Sequence, residues 1–321
     1  MLISTPRGGV SSVKSQGVRL FAPLVLALVM TAGSNTVNAA DPALSWGFEV
    51  GKTTFFQLRQ VNTTNTSANG REIPLNTELT LDFSWKVVKI EDGKAQIEHI
   101  LQRARTSVDS PMAQFVFDSS AKDDPADPNA KTIAGLYRSI VDKPIQITLS
   151  SQGEFLEVKM PQEVKDGIPD ALGQGIRDSG SMFSEAGIKN LLVQLIPTLP
   201  KAALEAGKGW EASIPLGMPP LGKLKLDQSF KYEGVKDGLA QLVAKVDTSI
   251  EPDPNSPIKL KLKEQSGKQS VKFDMGKKVL DSSSIELNMV LDLTVPNQDA
   301  PIGQVLKIDA KLVRRDEADL K

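Results

Sequence analysis

Two segments that resemble each other, with their shared residues at identical spacing, constrain this chain more than any other feature. Residues 81–97 (LDFSWKVVKIEDGKAQI) and 226–242 (LDQSFKYEGVKDGLAQL) share Leu-Asp, Ser, an aromatic residue, Lys, Asp-Gly, Ala-Gln and a closing aliphatic. Asp92-Gly93 and Asp237-Gly238 are each flanked by alternating apolar residues, and Asp-Gly supplies the positive φ angles of a tight hairpin turn. Each half of the chain is therefore predicted to hold a long antiparallel hairpin. A second hairpin-like unit follows each: residues 145–149, Gln152-Gly153 and residues 155–160 in one half, and residues 271–275, Gly276 and Val279 onward in the other. The pattern reads as a duplicated β unit.

Further strands are expected at residues 53–61, 113–117, 258–263, 284–295 and 305–313, which alternate with period two or are short β-branched runs. Helical spacing is confined to the middle of the chain. Ile133, Leu136, Tyr137, Ile140 and Val141 fall at i, i+3, i+4, i+7 and i+8 behind Asn129 as a cap, with Pro144 as a stop. Ile188, Leu191, Leu192, Leu195 and Ile196 repeat that spacing up to Pro197, and a weaker, broken helix starts at Pro161. Residues 62–71, 119–129 and 251–257 are polar and turn-rich and read as loops. The expected fold class is α+β, mainly antiparallel β: a duplicated, long-stranded curved sheet, half-barrel or sandwich-like, with two or three helices between the halves. Its domains would be a first β-rich half with helices at 40–200 and a second at 201–321, forming one compact unit with the first.

Residues 1–39 read as a signal peptide. Arg7, Lys14 and Arg19 form a basic leader, residues 20–33 a 14-residue apolar core, and Val37-Asn38-Ala39 a small-residue cleavage pattern. The expectation is export, to the periplasm or beyond, with cleavage near Ala39. The apolar core is too short to span roughly 30 Å of hydrocarbon, and no later run approaches 18 apolar residues, so no transmembrane segment is expected after the leader. Removing residues 1–39 takes away 3 of 38 basic groups and none of 39 acidic ones, leaving 35 − 39, or −4. That balance implies neither nucleic acid nor an anionic membrane as a partner. With no cysteine, an exported chain has no disulfide framework, thiol nucleophile, thiolate metal site or lipidated cysteine.

No cluster reads as a reaction centre, so neither catalytic residues nor a cofactor is assigned. His99, the single histidine, sits in a strand-like segment at a position read as surface or half-buried. The loop between Asp118 and Asp127 carries four aspartates but lacks the alternating acids, central glycine and closing glutamate of the helix-loop-helix calcium motif, and is read as solvated. Gly173, Gly175 and Gly180 lack the preceding strand that a phosphate loop needs. One constellation points to a ligand: Lys223 and Lys225 alternate with Leu224 and Leu226, and Lys259, Lys261 and Lys263 with Ile258, Leu260 and Leu262. On strands this gives basic faces opposite aliphatic ones, suited to an anionic head group, or simply to solubility and guarding of sheet edges.

Leu199-Pro200, Gly207-Lys208-Gly209-Trp210, Phe230-Lys231-Tyr232 and the Asp237-Gly238 turn resemble an uncharacterised family of bacterial exported β-rich proteins and lipoproteins of unknown function. Residues 145–150 (IQITLS) with Gly153 also resemble that family's strand-turn-strand, and the likeness extends over most of residues 45–315. It implies an exported β-rich protein and no catalytic residue. The chain departs from the lipoprotein members in lacking the lipidated cysteine. At a coarser level, export with a long-stranded antiparallel sheet and helices is similar to periplasmic lipoprotein carriers built as open half-barrels, an analogy of fold alone. Three functions stay open on the sequence: a non-enzymatic binder of a lipid or other amphiphile, lined by Leu, Ile and Val; an envelope interaction module without a small ligand; and an enzyme. A dry, continuous cavity would favour the first, a filled core with a large exposed apolar patch the second, and a cleft with converging carboxylates the third.

Overall fold

The computed structural model describes residues 43–123, 125–166, 183–218, 221–296 and 300–320; the leader and Gly173, Gly175 and Gly180 lie outside them. Twelve antiparallel strands form one open, curved sheet. They are β1 (Thr53–Ala68), β2 (Arg71–Glu91), β3 (Lys94–Ser110), β4 (Ala113–Asp118), β5 (Pro144–Ser150), β6 (Phe155–Lys159), β7 (Gly209–Met218), β8 (Gly222–Lys236), β9 (Leu239–Pro252), β10 (Lys259–Asp274), β11 (Val279–Thr294) and β12 (Ile302–Arg315). Among the described residues three α-helices accompany them: α1 (Pro128–Ile140), α2 (Gln162–Asp166) and α3 (Glu185–Val193). None is long and apolar enough to cross a membrane.

Local chemistry sets the turns. Asp92 (φ 50°) and Gly93 (φ 72°), and Asp237 (φ 53°) and Gly238 (φ 77°), take the left-handed angles of two-residue hairpins, as their sequence predicts. Residues 62–71 are not a loop. Thr63, Thr64 and Thr66 extend β1, and Asn69 (φ 51°) with Gly70 (φ 74°) turns directly into β2. β-Branched threonine suits a pleated strand, and polarity there marks a half-exposed face rather than irregular chain. Residues 258–263 and 271–275, read as separate strands, fall on one strand, β10, which ends at Asp274 and has a register shift between Leu262 and Glu264. Asp127 rather than Asn129 caps α1: its Oδ1 accepts from the Ala130 N–H at 2.9 Å, and Pro128 stands where no N–H is needed. α3 is capped by Ser184 and ends at Val193, while Leu195 and Ile196 stay buried in the irregular chain that follows.

Strand order along the sheet is β6-β5-β3-β2-β1-β12-β11-β10-β9-β8-β7, with β4 beside β3. Two five-strand meanders, β1-β2-β3-β5-β6 and β7-β8-β9-β10-β11, thus run in the same direction on either side of β12. Their registers coincide. Val87↔Ile97 followed by Lys89↔Gln96 in the first corresponds to Tyr232↔Leu242 followed by Gly234↔Gln241 in the second, each with one bulged residue. A second shift falls between Thr148 and Leu149 in β5 and between Lys272 and Phe273 in β10. The entry into each meander matches as well. In Glu49-Val50-Gly51-Lys52 the Gly51 N–H donates to the Val87 carbonyl (2.8 Å) and the Lys52 carbonyl accepts from Val87 (3.0 Å). In Glu205-Ala206-Gly207-Lys208 the same bonds join Gly207 and Lys208 to Tyr232, at 2.7 and 2.8 Å.

The terminal strands β6 and β7 are bridged by α3. Glu185 Oε1 accepts from the Met160 N–H at 2.9 Å beside β6, and Asn190 Nδ2 donates to the Gly217 carbonyl of β7 at 3.3 Å. Pro215 stands two residues from Gly217 on the same edge, where its missing N–H costs nothing and discourages further pairing. Inside the curl, one apolar cluster draws on all the long strands, from Phe56 and Leu58 through Tyr232, Leu242 and Phe273 to Leu312. Each such side chain contributes about 1.5–3 kcal/mol on leaving water.

Candidate functional site

The interior is layered, and the two meanders differ within one layer. In the first, Phe83, His99, Ile145 and Val158 point inward from β2, β3, β5 and β6. His99 is only 7% exposed, which corrects its reading as a surface or half-buried position. Its Nδ1 accepts from Trp85 Nε1 at 2.9 Å, its ring lies 4.8 Å from Phe83, and burial lowers its pKa from 6.5 to about 4. The imidazole is therefore neutral at physiological pH, with the proton on Nε2. A lone histidine in a strand gave no signal of this, because its partner Trp85 is recognisable only through the Trp85↔His99 register.

The matching positions in the second meander are Gln228, Ala244, Gln269 and Ser283. Gln228 Nε2 donates to Gln269 Oε1 at 2.6 Å, and Gln269 Nε2 donates to Ser283 Oγ (3.2 Å) and to the Gln194 carbonyl (3.1 Å) just past α3. Both donations fix the orientation of the Gln269 amide and hold the end of α3 on the sheet. Gln228 Oε1 remains buried without a partner, as does Thr248 Oγ1 on β9.

Enclosed space is small. A cavity of about 20 Å3 lies among Leu58, Phe83, His99, Ile140, Ile188 and Leu192, and one of about 30 Å3 lies beside Trp46, Phe56 and Trp85. Each holds a water at most. The larger spaces are open, such as the groove of about 410 Å3 between α3 and β7, where Lys189, Asn190 and Glu211 stand beside Val193, Ile196 and Ile214. Beyond the helices the inner face is less covered. In line with buried Leu287, Met289 and Leu291 on β11 lie half-buried Leu293, Leu306 and Ile308 on β11 and β12, and Leu260 and Leu262 on β10. Beside this aliphatic lane, β1 presents Asn62, Thr64 and Thr66 in register with Ile308, Leu306 and Gln304. An apolar lane thus runs along a lane of amides and hydroxyls.

The sequence-selected lysines divide between strands. Lys223 and Lys225 lie on β8, Lys259, Lys261 and Lys263 on β10, and β9 with Asp247 and Glu251 runs between them. Lys225 pairs with Asp227 at 3.0 Å and Lys263 with Asp292 at 2.8 Å, leaving Lys223, Lys259 and Lys261 without an ion pair among the described residues. In the 118–127 loop, Asp118 bonds bidentately to Arg103, which together with Ser120 holds its carboxyl far below the usual range, and Asp127 is the cap of α1. These two aspartates serve the fold.

A curved antiparallel sheet closed over its own core by a helix defines the structural class. Residues 92–279, more than half of the chain, match the family of unknown function DUF6263, and the protein belongs to that family. No curated protein matches the sequence. Among solved structures, lipovitellin aligns over 84% of this chain and 26% of its own at 11% identity and a TM-score of 0.47. The chain thus spans about a quarter of lipovitellin's length. An outer-membrane channel from Pseudomonas putida F1 aligns over 86% and 100% of the two chains (9% identity, TM-score 0.25). A DUF1329 family protein from Desulfovibrio piger ATCC 29098 aligns over 83% and 91% (7% identity, TM-score 0.14).

Proposed function

We propose that this protein is an exported, non-enzymatic binder of an amphiphile, seated on the open half of the inner face with its apolar part along Leu260, Leu262, Leu293, Leu306 and Ile308. The observation that carries the reading is that aliphatic lane, which continues the core beyond the helices and stays half-buried. Burying it against an alkyl chain gains roughly 25 cal/mol per Å2, while Asn62, Thr64 and Thr66 accommodate polar groups alongside. Lys259 and Lys261, exposed and without ion pairs among the described residues, lie on the face of β10 opposite Leu260 and Leu262 and so away from this seat. The enclosed spaces of about 20 and 30 Å3 are too small for a chain, so the ligand lies on the sheet rather than inside the packed layer. Export through the leader, with cleavage after Ala39, and descent of the two meanders from one duplicated unit belong to the same reading. The shared bulges and the paired Gly51-Lys52 and Gly207-Lys208 entries support the duplication.

Native mass spectrometry after incubation with phosphatidylglycerol vesicles tests the reading. The expected result is one retained phospholipid, lost at least tenfold in Leu306→Glu. Val305→Glu, one residue along on the opposite face at 54% exposed, should retain it. Protein that emerges lipid-free from vesicles, or equal retention by both variants, would sink it.

A further inference from the structure

The two meanders differ at one sheet edge, where the first carries a strand that the second lacks. Beyond the stretch of β3 that pairs with β5, Arg105–Ser110 are covered by β4, which runs antiparallel to β3 from Ala113 to Asp118. In the second meander the β9–β10 ladder stops at Lys245↔Lys268, although β9 continues to Pro252 along β8 and β10 begins at Lys259 along β11. The two strands diverge, and among the described residues the last seven of β9 have a strand partner on one side only.

The backbone groups facing this slot follow from the register. Asp82↔Arg103 and Leu81↔Ala104 in the first meander correspond to Asp227↔Asp247 and Leu226↔Thr248 in the second. The Ala104 N–H and C=O both point to the β4 side, bonding Ser119 Oγ at 2.9 Å and the Ser119 N–H at 2.8 Å. On β9 the Gly238 carbonyl accepts from the Met275 N–H at 3.1 Å, so even-numbered residues face β10. Thr248 and Ile250 therefore turn their N–H and C=O groups into the slot. Pro252, with the same parity, has no N–H to lose there. A second observation points to an occupant: Thr248, 7% exposed, and Gln265, across the slot on β10, each hold a buried side-chain oxygen without a partner. A single side-chain bond, Gln265 Nε2 to Asp247 Oδ1 at 2.9 Å, crosses the gap.

We infer that this slot accepts an extended segment of a partner polypeptide, which adds antiparallel to β9 where β4 adds to β3. Main-chain hydrogen bonds supply the affinity, and the walls set the sequence. Ile250, Leu260 and Leu262 are half-buried and call for apolar side chains on the inward positions, whereas Lys259 and Lys261 call for acidic ones on the outward positions. The partner strand alternates apolar and acidic residues. This binding does not rest on the amphiphile reading, since it uses the backbone edge of β9, although Leu260 and Leu262 border both.

The probe is a synthetic peptide of residues 113–120 (AQFVFDSS), the segment that fills the corresponding edge in the first meander. With the full chain isotopically labelled, amide exchange at Thr248 and Ile250 is expected to slow at least tenfold at saturating peptide. Replacing the peptide's aspartate by lysine should weaken binding at least fivefold. Ile250→Pro removes one slot-facing N–H without touching the β8 ladder, and should abolish the protection with an unchanged melting temperature. Unchanged exchange at millimolar peptide, or protection that survives Ile250→Pro, overturns the inference. Protection that grows with protein concentration in the peptide's absence also overturns it, because a second copy then fills the slot.

Discussion

The layer holding Phe83, His99, Ile145 and Val158 in the first meander holds Gln228, Ala244, Gln269 and Ser283 in the second, on backbones of the same register. One layer is aromatic and aliphatic around a neutral histidine; the other is a hydrogen-bonded chain of amides and a hydroxyl. Sheet halves of the same register tolerate either solution, provided most groups of a polar layer find partners; Gln228 Oε1 is the exception here. What separates the two is the neighbouring helix. Over the first layer, Ile188 and Leu192 of α3 pack side chain to side chain, whereas the second receives the Gln194 carbonyl at the helix end and needs a donor there.

The sharpest way to break the comparison is to remove the centre of the polar layer alone. Gln269→Leu strands the Gln228 amide, the Ser283 hydroxyl and the Gln194 carbonyl in the interior, and should cost about 3–4 kcal/mol in urea unfolding. The combined substitution Gln228→Phe, Gln269→Ile, Ser283→Val, which writes the first meander's residues into the second, removes the network's side chains together. It should cost at least 1 kcal/mol less than the single change. A triple variant less stable than Gln269→Leu would show that the layers are not interchangeable.

Next in size is the histidine. Its folded pKa of about 4 lies below the ordinary 6.5, so the unfolded chain binds the proton more readily. Stability is therefore full above pH 6.5, falls as pH drops from 6.5 to 4, and levels out below, a loss of about 3 kcal/mol. Carboxylates held low by partners, such as Asp118 and Asp274, titrate at lower pH and add their losses there. His99→Ala, which copies Ala244, should remove the slope between pH 6.5 and 4. It leaves the Trp85 N–H without an acceptor, so the variant starts from lower stability at pH 7.

What the sequence revealed and concealed follows the range of the interactions involved. Asp92-Gly93 and Asp237-Gly238 are local signals, and their hairpins form as read. β7 was equally legible, since Trp210, Ala212, Ile214, Leu216 and Met218 alternate through it, but its glycines and proline masked the pattern. The Gly51-Lys52 and Gly207-Lys208 pair stood in plain view and gains meaning only through its bonds to Val87 and Tyr232. Pairings between distant residues were not legible. Nothing in the sequence places β1 against β12, or inserts β9 between the two lysine sets. The inner-face lane has the same origin: Leu262 and Leu306 share it only because β11 lies between β10 and β12. Strand alternation assigns a residue to a face, whereas the order of strands decides which residues on that face become neighbours.

The smallest effect tests whether the equivalence extends from register to energy. Gly93 and Gly238 occupy the second positions of the matching turns at φ 72° and 77°, and a Cβ at either would meet no atom within 4 Å. Substitution by alanine therefore charges only the left-handed backbone, about 1 kcal/mol in each case, with no packing contribution. Urea titration of Gly93→Ala and Gly238→Ala should give equal losses within about 0.5 kcal/mol, adding in the double variant because the turns share no partner. Equal losses would mean that the turns retain one energetic role while the layers behind them diverged. If Gly238→Ala alone were markedly worse, the second hairpin would depend more heavily on its turn, whose Gly238 carbonyl also accepts from the Met275 N–H.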